Sequence, residues 1–77
     1  MIHRLEVTLQ DAEGALLRML GTTERRGFRV RAMHAEVGAD ALFRVELTLE
    51  GTRDAEVLSR QLTRLHEVRT ATIRASS

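Results

Sequence analysis

The hydrophobic residues of this chain change period four times along its length, and no other feature restricts the fold as strongly. A period of two marks one face of a strand, and a period of 3.6 marks one stripe of a helix. Residues 2–10 alternate, with Leu5, Val7 and Leu9 on one side and Arg4, Glu6 and Thr8 on the other. That is a half-buried strand. Asp11-Ala12-Glu13-Gly14 then forms a turn in which Asp11 is placed to cap a helix. Over residues 14–26, Leu16, Leu20 and Thr23 form one helical stripe with Ala15 and Met19 beside it. Arg25 and Arg26 suit the negative end of that helix, and Gly27 suits the left-handed position that follows.

Residues 28–36 read as a second strand with an inconsistent pattern. Phe28, Val30 and Ala32 share one face, whereas Met33, Ala35 and Val37 share the other. A bulge or an edge position accounts for such a change of face. Gly38-Ala39-Asp40 signals a hairpin, and residues 42–50 alternate cleanly with Phe43, Val45, Leu47 and Leu49 inward. After Gly51, Thr52 is placed to cap a second helix whose first turn holds Asp54 and Glu56. Leu58, Gln61, Leu62 and Leu65 fall at i, i+3, i+4 and i+7 on one face of it. Residues 67–74 close the chain as a short strand with Val68, Ala71 and Ile73.

The order is therefore βαββαβ. Two right-handed crossovers convert it into an α+β, ferredoxin-like sandwich, a four-stranded antiparallel sheet with both helices on one face. Residues 1–77 are expected to form a single domain. A domain of this size buries only about 60% of its unfolded surface, and there is no Cys for a disulfide or thiolate metal site. Pairing with a second copy through the edge strand is the expected remedy.

Several functions are disfavoured. No run of 18 apolar residues exists and no signal-peptide block opens the chain, so no membrane role and a cytoplasmic location are expected. The net charge is +1, all twelve basic residues are Arg, and both signs alternate along the chain. This is not the one-sided basic surface of a nucleic-acid binder. The predicted open face of the sheet carries Arg4, Glu6, Thr8, Arg44, Glu46 and Thr48, charges expected to pair across the two central strands. Both aromatics, Phe28 and Phe43, fall on the helix side, so no base-stacking platform results. His3, His34 and His66 lie in three different elements without metal-ligand spacing, and each is expected at the surface or its boundary. Ser59, Ser76 and Ser77 have no nucleophile context. No catalytic residue and no metal site is assigned.

The turn from Asp11 to Gly14 is the remaining candidate. Free N–H groups at a helix start attract a carboxylate, and Asp11 can accept from an ammonium. Together they suit a zwitterionic amino acid. The plainer reading keeps Asp11 as a cap and Gly14 as a turn residue.

Certain stretches are recognisable. Leu5-x-Val7-x-Leu9, Gly14-Ala15-Leu16-x-Arg18-Met19-x-Gly21 and Arg25-Arg26-Gly27-Phe28-x-Val30 resemble the ACT domain of the acetolactate synthase small subunit. Leu47-Thr48-Leu49-x-Gly51 and Gln61-Leu62-x-Arg64-Leu65-x-x-Val68 resemble the second half of that domain. The likeness covers residues 2–74 and is to the short, single-domain form. It implies a non-catalytic regulatory subunit in branched-chain amino-acid biosynthesis. The chain would hold no cofactor itself. Its partner, the large subunit, would carry thiamine diphosphate, Mg and FAD. The resemblance also implies an effector-binding turn over Asp11, Ala12, Glu13, Gly14 and Ala15, with Arg29 contributing across a dimer. Valine-binding members carry Asn at the places of Asp11 and Arg29, so activation of a large subunit is the better-supported expectation. The alternatives are a free-standing ACT domain that senses an amino acid, and a structural dimer module.

Overall fold

The computed structural model describes residues 1–76. Its elements are β1 (Ile2–Gln10), α1 (Ala15–Arg25), β2 (Arg29–Val37), β3 (Leu42–Glu50), α2 (Ala55–Thr63) and β4 (Val68–Ser76). One sheet forms in the order β2-β3-β1-β4, with every neighbouring pair antiparallel. The expected βαββαβ sandwich is what the chain adopts.

The core follows from the period-two residues of the central strands. Leu5, Val7 and Leu9 of β1 and Val45, Leu47 and Leu49 of β3 are buried on one face. Ala15 and Met19 of α1 and Ala55, Leu58 and Leu62 of α2 close over them, with Phe28 and Val68 at the margins. The buried stripe of α1 is rotated from the expected one. It runs through Ala15, Met19, Thr22 and Thr23, while Leu16 and Leu20 flank the core half-buried. Thr23 can be buried because its hydroxyl donates to the Met19 carbonyl at 2.9 Å, which satisfies it within the helix.

The irregular pattern of β2 has two causes, and both operate. β2 is an edge strand, and its register against β3 shifts between Val30, opposite Leu49, and Ala32, opposite Thr48. Arg31 is the extra residue of a bulge. Beyond it, Met33, Ala35 and Val37 face Leu47, Val45 and Phe43, so they join Val30 on the helix side. Ala32 moves to the open face, which corrects the grouping expected for it.

Helix ends obey local rules, at positions partly different from those expected. Gly27 takes φ 91°, as required, and its N–H donates to Glu24 O while Phe28 N–H reaches Thr23 O. This is the Schellman arrangement. Asp11 does not cap α1. The N-cap is Gly14, at φ 74°, with no side-chain cap. Thr52 does not cap α2 either, since Asp54 takes that place and accepts from Glu56 N–H at 2.9 Å. In the β2–β3 hairpin the left-handed residue is Ala41, at φ 61°, not Gly38.

His3 is buried, contrary to the expectation of a surface position. Its place on the inner side of β1, beside Phe28, removes it from water. Both ring nitrogens are satisfied. Nε2 donates to the Gly51 carbonyl at 3.1 Å, and Nδ1 lies 2.8 Å from the Ser76 hydroxyl. His34 and His66 are exposed, as expected.

Candidate functional site

Four short hydrogen bonds build the turn after β1. Gln10 N–H donates to Glu67 O in the loop before β4, and Asp11 N–H donates to Ala41 O in the β2–β3 hairpin. Ala12 N–H returns to Gln10 O, and Ala15 N–H to Ala12 O. Asp11, Ala12, Glu13, Gly14 and Ala15 are thus held together as one rigid turn, pinned from both flanking loops.

Arg18 completes it. One helical turn after Gly14, its side chain folds back toward the helix start, as an i, i+4 position allows. Its Nη2 donates to the Glu13 carbonyl at 3.1 Å and to Glu67 Oε2 at 2.5 Å. Gly14 leaves the necessary room, since a Cβ there would stand 2.9 Å from Arg18 Nη1. The hydrogen bond from Arg18 is the chief cause that holds the Glu67 carboxyl below its ordinary range, against a smaller opposing effect of desolvation. The carboxylate beside the first turn of α1 is therefore the protein's own.

Arg29 stands elsewhere. It faces Glu50, which in turn faces Ile2, at the far end of β1 from Asp11. Nine residues of strand separate the two levels, about 30 Å. Within one chain the structure brings Asp11–Ala15 together and leaves Arg29 out. Arg18 and Glu67 were not assigned to the site from sequence. The Gly14–Arg18 spacing was a usable signal for Arg18, whereas nothing local indicates Glu67.

The open face of the sheet also differs from expectation. Glu6 lies directly opposite Glu46, so the two central strands oppose like charges, which is unfavourable. The ion pairs of this surface form at its margins. Arg44 binds Asp40 at 2.7 Å and lowers the Asp40 pKa, Arg31 approaches Glu50 at 3.4 Å, and His34 binds Glu36 at 2.9 Å. A shallow depression of about 360 Å³ lies between Arg4, Glu6, Glu46, Thr48 and Arg74. Among the described residues, no group of three or more His, Cys, Asp or Glu side chains is placed to hold a metal ion.

The segment from this turn to β4, residues 11–71, matches the ACT domain family. The chain belongs to that family. ACT domains are regulatory modules without catalytic activity of their own. Among solved structures, the acetolactate synthase small subunit of Thermotoga maritima is similar at a TM-score of 0.83 and 20% identity, over 95% of this chain and 47% of that one. The chain thus spans about half the length of that subunit. The ACT domain of GTP pyrophosphokinase from Chlorobium tepidum gives a TM-score of 0.76 at 14% identity, over 95% and 96% of the two chains. An ACT domain protein of Streptococcus pneumoniae gives 0.76 at 16% identity, over 96% and 88%. At these identities the likeness establishes the fold. A comparison with curated protein sequences gives no match.

Proposed function

We propose that this ACT domain is a regulatory small subunit of acetolactate synthase, which binds the large catalytic subunit as a homodimer and stimulates it. The observation that carries the reading is where the resemblance falls. Two of its stretches, Gly14–Gly21 and Arg25–Val30, build most of α1, the Gly27 turn and the start of the free edge strand β2. Of the two edge strands, β4 is interrupted by register shifts at both ends of its pairing and is covered by α2. β2 instead exposes large apolar side chains on its helix side, with Met33 43% and Val37 52% accessible. A second β2 would cover them and satisfy the free edge.

Charge supports antiparallel pairing. At the end of the molecule where β2 begins, Arg25, Arg26, Arg29, Arg31 and Arg53 stand among Glu24, Glu50, Asp54 and Glu56. On β2 itself the charges there are Arg29 and Arg31. Asp11, Glu13, Glu36 and Asp40 gather at the other end. Two antiparallel copies of β2 set Arg29 and Arg31 of one chain toward the end of the other's β2, where Glu36 and Asp40 lie. The same pairing would carry Arg29 toward the partner's Asp11–Ala15 turn, so that an amino-acid effector, if one binds, would contact both chains. Thiamine diphosphate, Mg and FAD would belong to the large subunit and none to this chain. The complex would be cytoplasmic. Among the described residues no helix is long and apolar enough to cross a membrane.

Co-expression with a large subunit from the same genome tests the proposal. Co-elution, with acetolactate formation rising to a plateau as this chain is added, is the expected outcome. Absence of both refutes it. A free-standing amino-acid sensor is the second reading, supported by the match that spans 88% of the Streptococcus pneumoniae ACT protein. Amino-acid binding without any effect on a large subunit would favour that reading.

A further inference from the structure

The free edge of β2 restricts how a second copy can pair with it. Gly38 N–H donates to Leu42 O, so residues 38, 36 and 34 turn their backbone groups toward β3. Residues 33, 35 and 37 therefore turn theirs toward the free edge. No register shift interrupts the strand from Ala32 to Val37. Residues 33, 35 and 37 carry their side chains on the helix side, and 34 and 36 on the open face.

Two identical antiparallel strands related by a two-fold axis must oppose side chains of the same face. Only a few registers satisfy this. An axis at residue 34 sets His34 against His34, and one at residue 36 sets Glu36 against Glu36. An axis at 33 draws the Arg31 bulge into the pairing, and one at 37 draws in the hairpin turn. An axis at Ala35 avoids every one of these faults. It sets Met33 against Val37 twice on the helix side and His34 against Glu36 twice on the open face.

We propose, resting on the homodimer reading above, that two chains pair through β2 with the two-fold axis at Ala35, so that His34 of each chain meets Glu36 of the other. Each His34 already binds Glu36 of its own strand through Nε2 at 2.9 Å, which leaves Nδ1 for the partner's carboxylate. Two imidazoles and two carboxylates then alternate around the axis. From β3, Glu46 faces His34, and Glu6 of β1 lies beyond it in the same row. Arg44 faces Glu36 but is engaged by Asp40. The surroundings of His34 thus favour its charged form. In this register residue 29 lies within about one residue of the level of the partner's Ala41, the offset coming from the bulge at Arg31. The Ala41 carbonyl is the group that anchors Asp11. The pairing that matches the charges on β2 is thus also the one that brings Arg29 level with the hairpin that anchors the turn.

The chain contains no Cys, so single cysteines report the register directly. Ala35→Cys would place two thiols across an antiparallel pair at about 5.5 Å between Cα atoms, within disulfide reach. Cys at 34 or 36 would meet its copy only along a diagonal. Mild oxidation is expected to cross-link Ala35→Cys fastest. Faster cross-linking at 34 or 36 overturns the register and leaves the dimer standing. The charge pairs are tested at about pH 6, where His34 is charged. His34→Glu and Glu36→Lys should each weaken self-association about fourfold or more, by replacing two opposite-charge pairs with two like-charge ones. The double change His34→Glu with Glu36→Lys should restore it. Additive weakening in the double variant overturns the pairing of 34 with 36. A parent chain that sediments as a monomer at tens of micromolar overturns the homodimer reading itself, and the register with it.

Discussion

Gly14 is the residue on which the local build of the site depends, and Gly14→Ala isolates why. At φ 74° a Cβ crowds the following carbonyl, a cost of about 1–2 kcal/mol for an L-residue in the left-handed region. Ala also restricts the unfolded chain, which returns roughly 0.4–1 kcal/mol. The new Cβ would additionally sit 2.9 Å from Arg18 Nη1. That atom ends a flexible, half-exposed side chain, so it moves aside at small cost. The movement nevertheless disturbs the bond to Glu67. The net expectation is a loss of about 1 kcal/mol, or roughly 4–8 °C in melting temperature for a domain of this size. Gly14→Asn presents the same Cβ to Arg18 but tolerates the left-handed region better. Thermal melts of both variants separate the two effects: Ala should fall well below Asn. Equal melting of parent and Ala variant would refute the reasoning. Equal losses in Ala and Asn would move the cause from the backbone to Arg18.

Four further outcomes are expected. Ala41→Gly relieves a non-glycine residue at φ 61° and should raise the melting temperature by a few degrees, a gain of up to about 1 kcal/mol; an unchanged or lower value counts against strain in the hairpin. Leu62→Ala removes a fully buried side chain between α2 and the sheet and should cost about 2–5 kcal/mol, read from urea midpoints. Because Arg18 lowers the Glu67 pKa, their bond contributes stability above the ordinary carboxylate value and loses it as pH falls through the lower folded value. The stability difference between parent and Arg18→Ala should therefore shrink from about pH 6 to about pH 3, and a difference constant with pH would contradict it. Finally, the parent should bind valine weakly in calorimetric titration, and Asp11→Asn with Arg29→Asn should tighten binding by roughly tenfold or more, the worth of one charge-assisted hydrogen bond. Micromolar binding by the parent would refute that expectation.

The amino-acid sequence determined the elements and their order. Leu5-Val7-Leu9 and Val45-Leu47-Leu49 can bury one face only as strands, and Leu58 and Leu62 can share a face only on a helix. Gly27 closes α1 for a reason confined to its own backbone. Even the bulge was visible as a change of face between Val30 and Met33. Tertiary structure decided whatever depends on which distant residues become neighbours. The facing of Glu6 and Glu46 is a matter of register, a relation between strands some forty residues apart in sequence. His3 is buried because Gly51, Ser76 and Phe28 converge on it from separate elements. Glu67 reaches Arg18 only because β4 returns beside β1. The resemblance joins Asp11 and Arg29 only across a dimer, and within one chain they are apart because β1 and β2 run in the same direction, with β3 antiparallel to both. The end of one and the start of the other therefore lie at opposite ends of the sheet, and a pattern read along the chain holds no information about that distance.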